Sequence, residues 1–367
     1  MKVILMSIFL LSASSSIFAQ HTWADVSTHG TYNITTETGP DRHLRSVKVH
    51  IPSSPFNKKF PVIIWLHGTM PARAIEVNKN WFGTLPDDLQ FIGVVPHSLE
   101  IQNTASTGTD SASLAWNHAP ASPSFDTNFP SSGYYTGRDV AYLKLIIEKL
   151  KEYAPVKEGN HIYFMGHSSG GFMTMKMGMM VEECGGISPS GASFHKGSNY
   201  AIGDTNFAQP VSYSKLVVSP SDPKIRVVHL QGECDDKALW NGNLRGDGQT
   251  PSIATGGTTD CDPEKSNLPI YPILGNRFVE GTGYLYAQHN TLRSGDLRWT
   301  RTTSVYTTPI RSLDITQYAI RQVNNKDVIV LKIHGEGHGA PDMGGIDLKA
   351  DRIRLLLGRI DDLPEGL

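Results

Sequence analysis

Three hydrophobic patterns divide the chain. Near the start, Val47, Val49 and Ile51 alternate with Lys48 and His50, the period of a strand with one buried face. Residues 44–51 therefore predict a strand, with a second strand over 31–37. Further on, Pro61-Val62-Ile63-Ile64-Trp65-Leu66 and Phe91-Ile92-Gly93-Val94-Val95-Pro96 are apolar without alternation. Residues 224–230, with Val227 and Val228 at the centre, and 328–333 are also read as strands, and 186–191 as a short one. Continuous apolar runs suit strands of a parallel sheet covered on both faces. The third pattern is helical. Val140, Leu143, Ile146, Ile147 and Leu150 fall on one face of a helix over 139–153, with Lys144, Glu148 and Lys151 opposite. Helices are also predicted over 72–81 and 172–183, and 352–357 lies in a closing helix.

Between these elements two intervals stand out. From 97 to 133 serine, threonine, asparagine and proline dominate and no period survives, which predicts a long loop with Trp116 and Phe125 among its aromatic residues. The interval 236–327 is too long for a plain crossover. It is expected to carry a helix plus an insertion, over about 240–300, that shapes a cleft. Strands alternating with helices give an α/β fold with a mainly parallel central sheet and helices on both faces.

Composition narrows the partners. The chain has 367 residues, 39% hydrophobic and 19% charged, with a net charge of −2, enough for one large domain over 20–367. No basic run appears, so nucleic acid is not expected as a partner. Residues 1–19 read as a signal peptide. Lys2 gives the positive start, residues 3–11 the apolar run and residues 12–19 the small-residue exit. That run is too short to span a bilayer, and no cysteine lies near the cleavage point to take a lipid, so no membrane anchor is expected. The mature protein is expected to be secreted or periplasmic. Of Cys184, Cys234 and Cys261, the last two lie in loop-like, Asp-rich sequence and are the expected disulfide, worth about 3–4 kcal/mol by loop closure.

The candidate chemistry starts at His161-Ile162-Tyr163-Phe164-Met165-Gly166-His167-Ser168-Ser169-Gly170-Gly171. This is a strand running through Gly-x-Ser-x-Gly into a helix. Glycines two residues either side of Ser168 remove a Cβ that would meet neighbouring backbone. The turn holds the hydroxyl at the carboxyl edge of the sheet, with a helix N-terminus behind it. A serine needs a base, and the base an acid to fix its tautomer. His338, in a glycine-flanked loop after the last strand, fits the base, with His334 as rival. Asp235, after strand 224–230, fits the acid, with adjacent Asp236 open as the alternative. The oxyanion donors expected are the amides of Ser169 and of Thr69 in the loop after strand 61–66. Trp116, His67 and His167 are the side chains expected about the substrate, although pinning of the long loop is the favoured reading for Trp116 and bracing of the loop after strand 61–66 is the favoured reading for His67. The 14 histidines include no pair spaced for a metal on a helix, and the glycines between His334 and His338 argue against one, so neither metal nor cofactor is expected.

Together, Trp65-Leu66-His67-Gly68-Thr69, Arg138-Asp139-Val140, Gly166-His167-Ser168-Ser169-Gly170-Gly171, Gly232-Glu233-Cys234-Asp235 and Gly335-Glu336-Gly337-His338 resemble the polyhydroxybutyrate depolymerase and feruloyl/acetylxylan esterase family. The resemblance covers about residues 47–357, leaving 241–300 unmatched. It implies an α/β-hydrolase fold, with Ser168, Asp235 and His338 as nucleophile, acid and base and with Thr69 and Ser169 as oxyanion donors. The expected substrate is an ester: a hydroxyalkanoate oligomer or a feruloyl or acetyl ester. One departure is that Gly339 and Ala340 stand where the family often carries a tryptophan and proline. A peptidase of the prolyl-oligopeptidase type shares the triad order, although no propeller-like repeat precedes the catalytic part. A non-catalytic binding protein on the same scaffold would be expected to lack a triad member.

Overall fold

The computed structural model describes residues 21–38, 43–54, 58–71, 80–101, 113–116, 138–192, 225–232, 300–307, 312–320, 328–334, 336–338 and 345–359. After a short 3-10 turn at Trp23–Asp25, the strands are β1 (Gly30–Thr38), β2 (His43–Ile51), β3 (Val62–Leu66), β4 (Met70–Pro71), β5 (Ile92–Pro96), β6 (Leu99–Ile101) and β7 (Ser113–Ala115). They continue with β8 (Ile162–His167), β9 (Cys184–Ser190), β10 (Arg226–Gly232), β11 (Thr300–Thr307), β12 (Ser312–Ile320) and β13 (Val328–Ile333). The helices are α1 (Leu85–Leu89), α2 (Arg138–Tyr153), α3 (Ser169–Met180) and α4 (Gly345–Leu357).

Ten strands form one sheet in the order β1-β2-β5-β3-β8-β9-β10-β13-β12-β11. From β5 to β13 the neighbours are parallel, and the pairs at either end are antiparallel. The five residues of β3 are all buried. Val62, Ile64 and Leu66 join the core beneath α2 and α3, while Ile63 and Trp65 join the opposite core beneath α1 and α4. Each such side chain contributes about 1.5–3 kcal/mol by leaving water, which is why the run is apolar throughout. In α2 the predicted stripe Val140, Leu143, Ile146, Ile147 and Leu150 is buried. On the other face the Trp65 and Trp81 rings stack at 3.7 Å, and the Lys349 ammonium stands 4.7 Å from the Trp81 ring centre.

The chain order reverses at β3. From β3 the chain crosses to β5 on one side, then returns to β8 on the other. The loops leaving the carboxyl ends of β3 and β8 therefore diverge, opening the kind of crevice where α/β sheets bind their ligands.

Several expectations change. The interval 97–133, read as loop, contains β6 and β7, which form a small antiparallel sheet with β4. Strands of two or three residues are too short to show a period. Helix α1 was not expected either; it has five residues and a proline in its first turn. The interval 236–327 contributes the antiparallel pair β11–β12, which widens the central sheet. Its composition, with four threonines in β11, hides that role. The helix expected over 72–81 falls mostly, and the insertion over 240–300 almost wholly, outside the described residues. So do the leader over 1–19, Asp235, Asp236 and both members of the Cys234–Cys261 pair. Cys184 is buried, its thiol 3.5 Å from the Gly186 carbonyl oxygen.

Candidate active site

Ser168 stands between β8 and α3 with φ +51° and ψ −121°, a left-handed conformation that costs a non-glycine residue roughly 1–3 kcal/mol. Close packing holds it there. A Cβ on Gly166 would lie 2.4 Å from the Gly170 carbonyl oxygen, and one on Gly170 would lie 2.0 Å from that of Leu66. The turn is thus wedged against the end of β3. The Ser168 amide donates to the Ser190 carbonyl at 2.9 Å, and the Ser168 carbonyl accepts from Phe172 in the first turn of α3 at 3.0 Å.

His338 reaches this serine: its Nε2 is 2.9 Å from Ser168 Oγ. The rival His334 remains at the end of β13, where its amide donates to the Asp314 carbonyl at 2.8 Å. The segment carrying His338 is close to the end of β10, since a Cβ on Gly232 would lie 2.5 Å from the carbonyl oxygens of both Glu336 and Gly337. The acid candidates follow Gly232 by three and four residues.

The loop after β3 is braced from inside. His67 is fully buried; its Nδ1 is 2.7 Å from the Gly68 carbonyl, and its Nε2 is 3.2 Å from the Ser98 amide. A carbonyl can only accept and an amide can only donate, so the proton is on Nδ1 and the ring is neutral. Burial lowers the His67 pKa to about 4, although its bond to Gly68 and the charge of Asp139 oppose that shift. Trp116, 3% exposed, donates its indole N–H to the His67 carbonyl at 2.9 Å. Both side chains are engaged in hydrogen bonds that hold the loop. Thr69, exposed at its tip, leads directly into β4. Ser169 is the first residue of α3 and is buried; its amide is among the helix N–H groups that have no partner within the helix.

His167, half-buried, lies beside His338 with ring centres 5.0 Å apart. Beneath the loops sits a buried ion pair, Arg45 Nη1 to Asp139 Oδ1 at 2.5 Å, with the Arg45 guanidinium 4.4 Å from the Tyr142 ring centre. Lys176 of α3 is also buried, and burial lowers its pKa to about 8 against the opposing charge of Asp139. The sequence reading missed Ser190 and this charge cluster. The available signals were two serines in an otherwise apolar strand and a lysine among the methionines of α3. Among the described residues no group of three His, Cys, Asp or Glu side chains is placed to hold a metal ion.

No protein-family model and no curated protein matches the chain. Solved structures do. The acetyl xylan esterase from Aspergillus awamori is 12% identical over 87% of this chain and 99% of its own, with a TM-score of 0.46. The S-formylglutathione hydrolase from Agrobacterium tumefaciens is 15% identical over 57% of this chain and 79% of its own, at 0.41. A ferulic acid esterase from Anaeromyces mucronatus is 16% identical over 60% and 78%, at 0.38. The strand order, the strained turn after β8 and the histidine loop after the last parallel strand are those of an α/β-hydrolase fold.

Proposed function

We propose that this protein is a serine esterase that cleaves carboxylic esters through an acyl-enzyme. The observation that carries the reading is the contact of His338 Nε2 with the oxygen of a serine held in a left-handed turn at a helix N-terminus. In this reading His338 takes the Ser168 proton as Oγ bonds to the ester carbonyl carbon. The carbonyl oxygen becomes an oxyanion and is met by the amides of Ser169 and Thr69. His338 then passes its proton to the departing alcohol oxygen as the C–O bond breaks, leaving the acyl group on Ser168. A water molecule, deprotonated by the same imidazole, attacks the acyl carbon. The acid is released, and the proton returns to Ser168. Asp235 accepts from the other ring nitrogen and supports the imidazolium in both halves.

The chain's resemblance to polyhydroxybutyrate depolymerases and to feruloyl and acetylxylan esterases supports hydroxyalkanoate oligomers or feruloyl and acetyl esters as substrates. The leader-like first 19 residues support export. The test is hydrolysis of short p-nitrophenyl esters and labelling by a fluorophosphonate probe. Both activities are expected in the wild type and lost in Ser168→Ala; retention by the variant would overturn the assignment. Purified protein offered hydroxybutyrate oligomers, feruloyl esters and acetylated xylan would select among the substrates. Faster cleavage of peptides than of esters would assign the triad to a peptidase.

A further inference from the structure

We propose that Ser190 is a positioning residue for the base, acting through His167. The proposal rests on the reading of Ser168 and His338 as nucleophile and base.

Ser190 is the last residue of β9, fully buried, and lies opposite His167 in the parallel register of β8 and β9. It meets three consecutive residues of the strained turn. Its carbonyl accepts from the Ser168 amide at 2.9 Å. Its Oγ donates to the Gly166 carbonyl at 3.0 Å. The same Oγ is 3.3 Å from His167 Nδ1. A serine hydroxyl has one proton, and a carbonyl oxygen can only accept. With that proton on Gly166, the Ser190 oxygen accepts from His167, which fixes the His167 proton on Nδ1 and sets the rotation of the ring.

The ring so fixed lies against the base. The His167 and His338 ring centres are 5.0 Å apart and their planes are inclined at 46°. Gly191 closes the space beside them: a Cβ there would lie 2.7 Å from His167 Cε1 and 3.1 Å from His338 Cε1. His338 belongs to a glycine-rich stretch, with Gly335, Gly337 and Gly339 around it, so its own backbone constrains the imidazole weakly. The His167 ring supplies a wall with a fixed angle, and Ser190 supplies that angle. Losing the serine oxygen frees the wall to turn, and a base displaced by about 1 Å can cost on the order of a hundredfold in rate.

The test is a double-mutant cycle on ester hydrolysis, with kcat and KM read separately. Ser190→Ala is expected to lower kcat by about 10- to 100-fold with KM changed less than about twofold. His167→Phe keeps a ring against the base but has no Nδ1 proton for Ser190 to hold. In that background Ser190→Ala is expected to lower kcat by a factor at least three times smaller than in the wild type. A ratio of losses below three would overturn the inference, because the serine would then act on the turn alone. An unchanged kcat in Ser190→Ala would do the same. If Ser190→Ala does not fold, Ser190→Cys, close in size and a weak donor, takes its place in the cycle under the same criterion. Fluorophosphonate labelling of wild-type Ser168 separates the two levels of the reading. Labelling and hydrolysis together with an additive cycle remove only the role of Ser190. A wild type that neither labels nor hydrolyses removes the esterase reading and this inference with it.

Discussion

Gly170, in the first turn of α3, packs against the carbonyl oxygen of Leu66 at the end of β3, so closely that a Cβ would lie 2.0 Å from it. The nucleophile helix and the strand beneath the neighbouring loop are therefore joined backbone to backbone, and neither can shift without the other. Gly170→Ala is expected to bring esterase activity below about 1% of wild type and to lower the melting temperature, since the methyl group must push the backbone of β3 aside. Activity and thermal unfolding of the same preparation check both effects. A variant with near-normal activity would show that the contact does not set the site.

His67 links the loop brace to pH. Burial holds its folded pKa near 4, against an ordinary 6.5. Between these values the unfolded chain binds a proton that the folded protein refuses. The His67 contribution is therefore fully present above pH 6.5, falls as pH falls, and is lost once pH passes below about 4. The slope is about 1.4 kcal/mol per pH unit. Urea unfolding at pH 7 and pH 5 is expected to show that loss, and His67→Gln is expected to shrink the difference by about 2 kcal/mol. An unchanged difference in the variant would assign the pH dependence to other groups.

A second buried group has the opposite use. Lys176 lies within α3, with its pKa lowered to about 8 by burial and only partly restored by Asp139, whose carboxylate is already paired with Arg45. The folded protein binds fewer protons than the unfolded chain between about pH 8 and 10.5, so stability rises through that window, and at pH 7 the charged lysine is a cost. Replacing a buried charge by an apolar side chain of similar length is often stabilising. Lys176→Met is expected to gain about 2–3 kcal/mol at pH 7, with the gain shrinking toward zero by pH 10.5. Denaturant unfolding at the two pH values gives both numbers.

What could be read from the sequence follows from how local each signal was. The runs at Val62–Leu66 and Ile92–Pro96 bury both faces of the strand, so no position carries a charge and the strand was plain. The stripe of α2 was plain for the same reason at helical spacing. The serine turn was legible because its glycines answer to backbone contacts within one short segment and the end of β3. β6, β7 and the β11–β12 pair were hidden, since they are short or polar and owe their form to pairing with neighbouring strands rather than to an apolar pattern of their own. The burial of Trp116 and His67 was hidden too, because which of two faces an aromatic residue in a loop presents depends on a partner 49 positions away. Ser190 could be placed in a strand but not given a role, since its partners lie on β8.

The proposed triad takes its acid from Asp235 or Asp236, which follow β10 in the sequence. Gly232 ends β10 against the Glu336 and Gly337 carbonyls, two and one residues before His338. Asp235 follows Gly232 by three residues, a reach of about 10 Å along an extended chain, and Asp236 by four. The length of chain from Gly232 is therefore sufficient for either carboxylate to serve His338 in the proposed triad. An acid that fixes the tautomer of the base acts on kcat and hardly on binding, and its amide analogue keeps the shape while losing the charge. Asp235→Asn is expected to lower kcat by about 10³- to 10⁴-fold with KM nearly unchanged, and Asp236→Asn by less than about tenfold. The same pair of variants should slow fluorophosphonate labelling of Ser168 in the same order. If Asp236→Asn carries the larger loss, the carboxylate next along the chain is the acid, and the loop after β10 runs one residue further before it turns to the histidine.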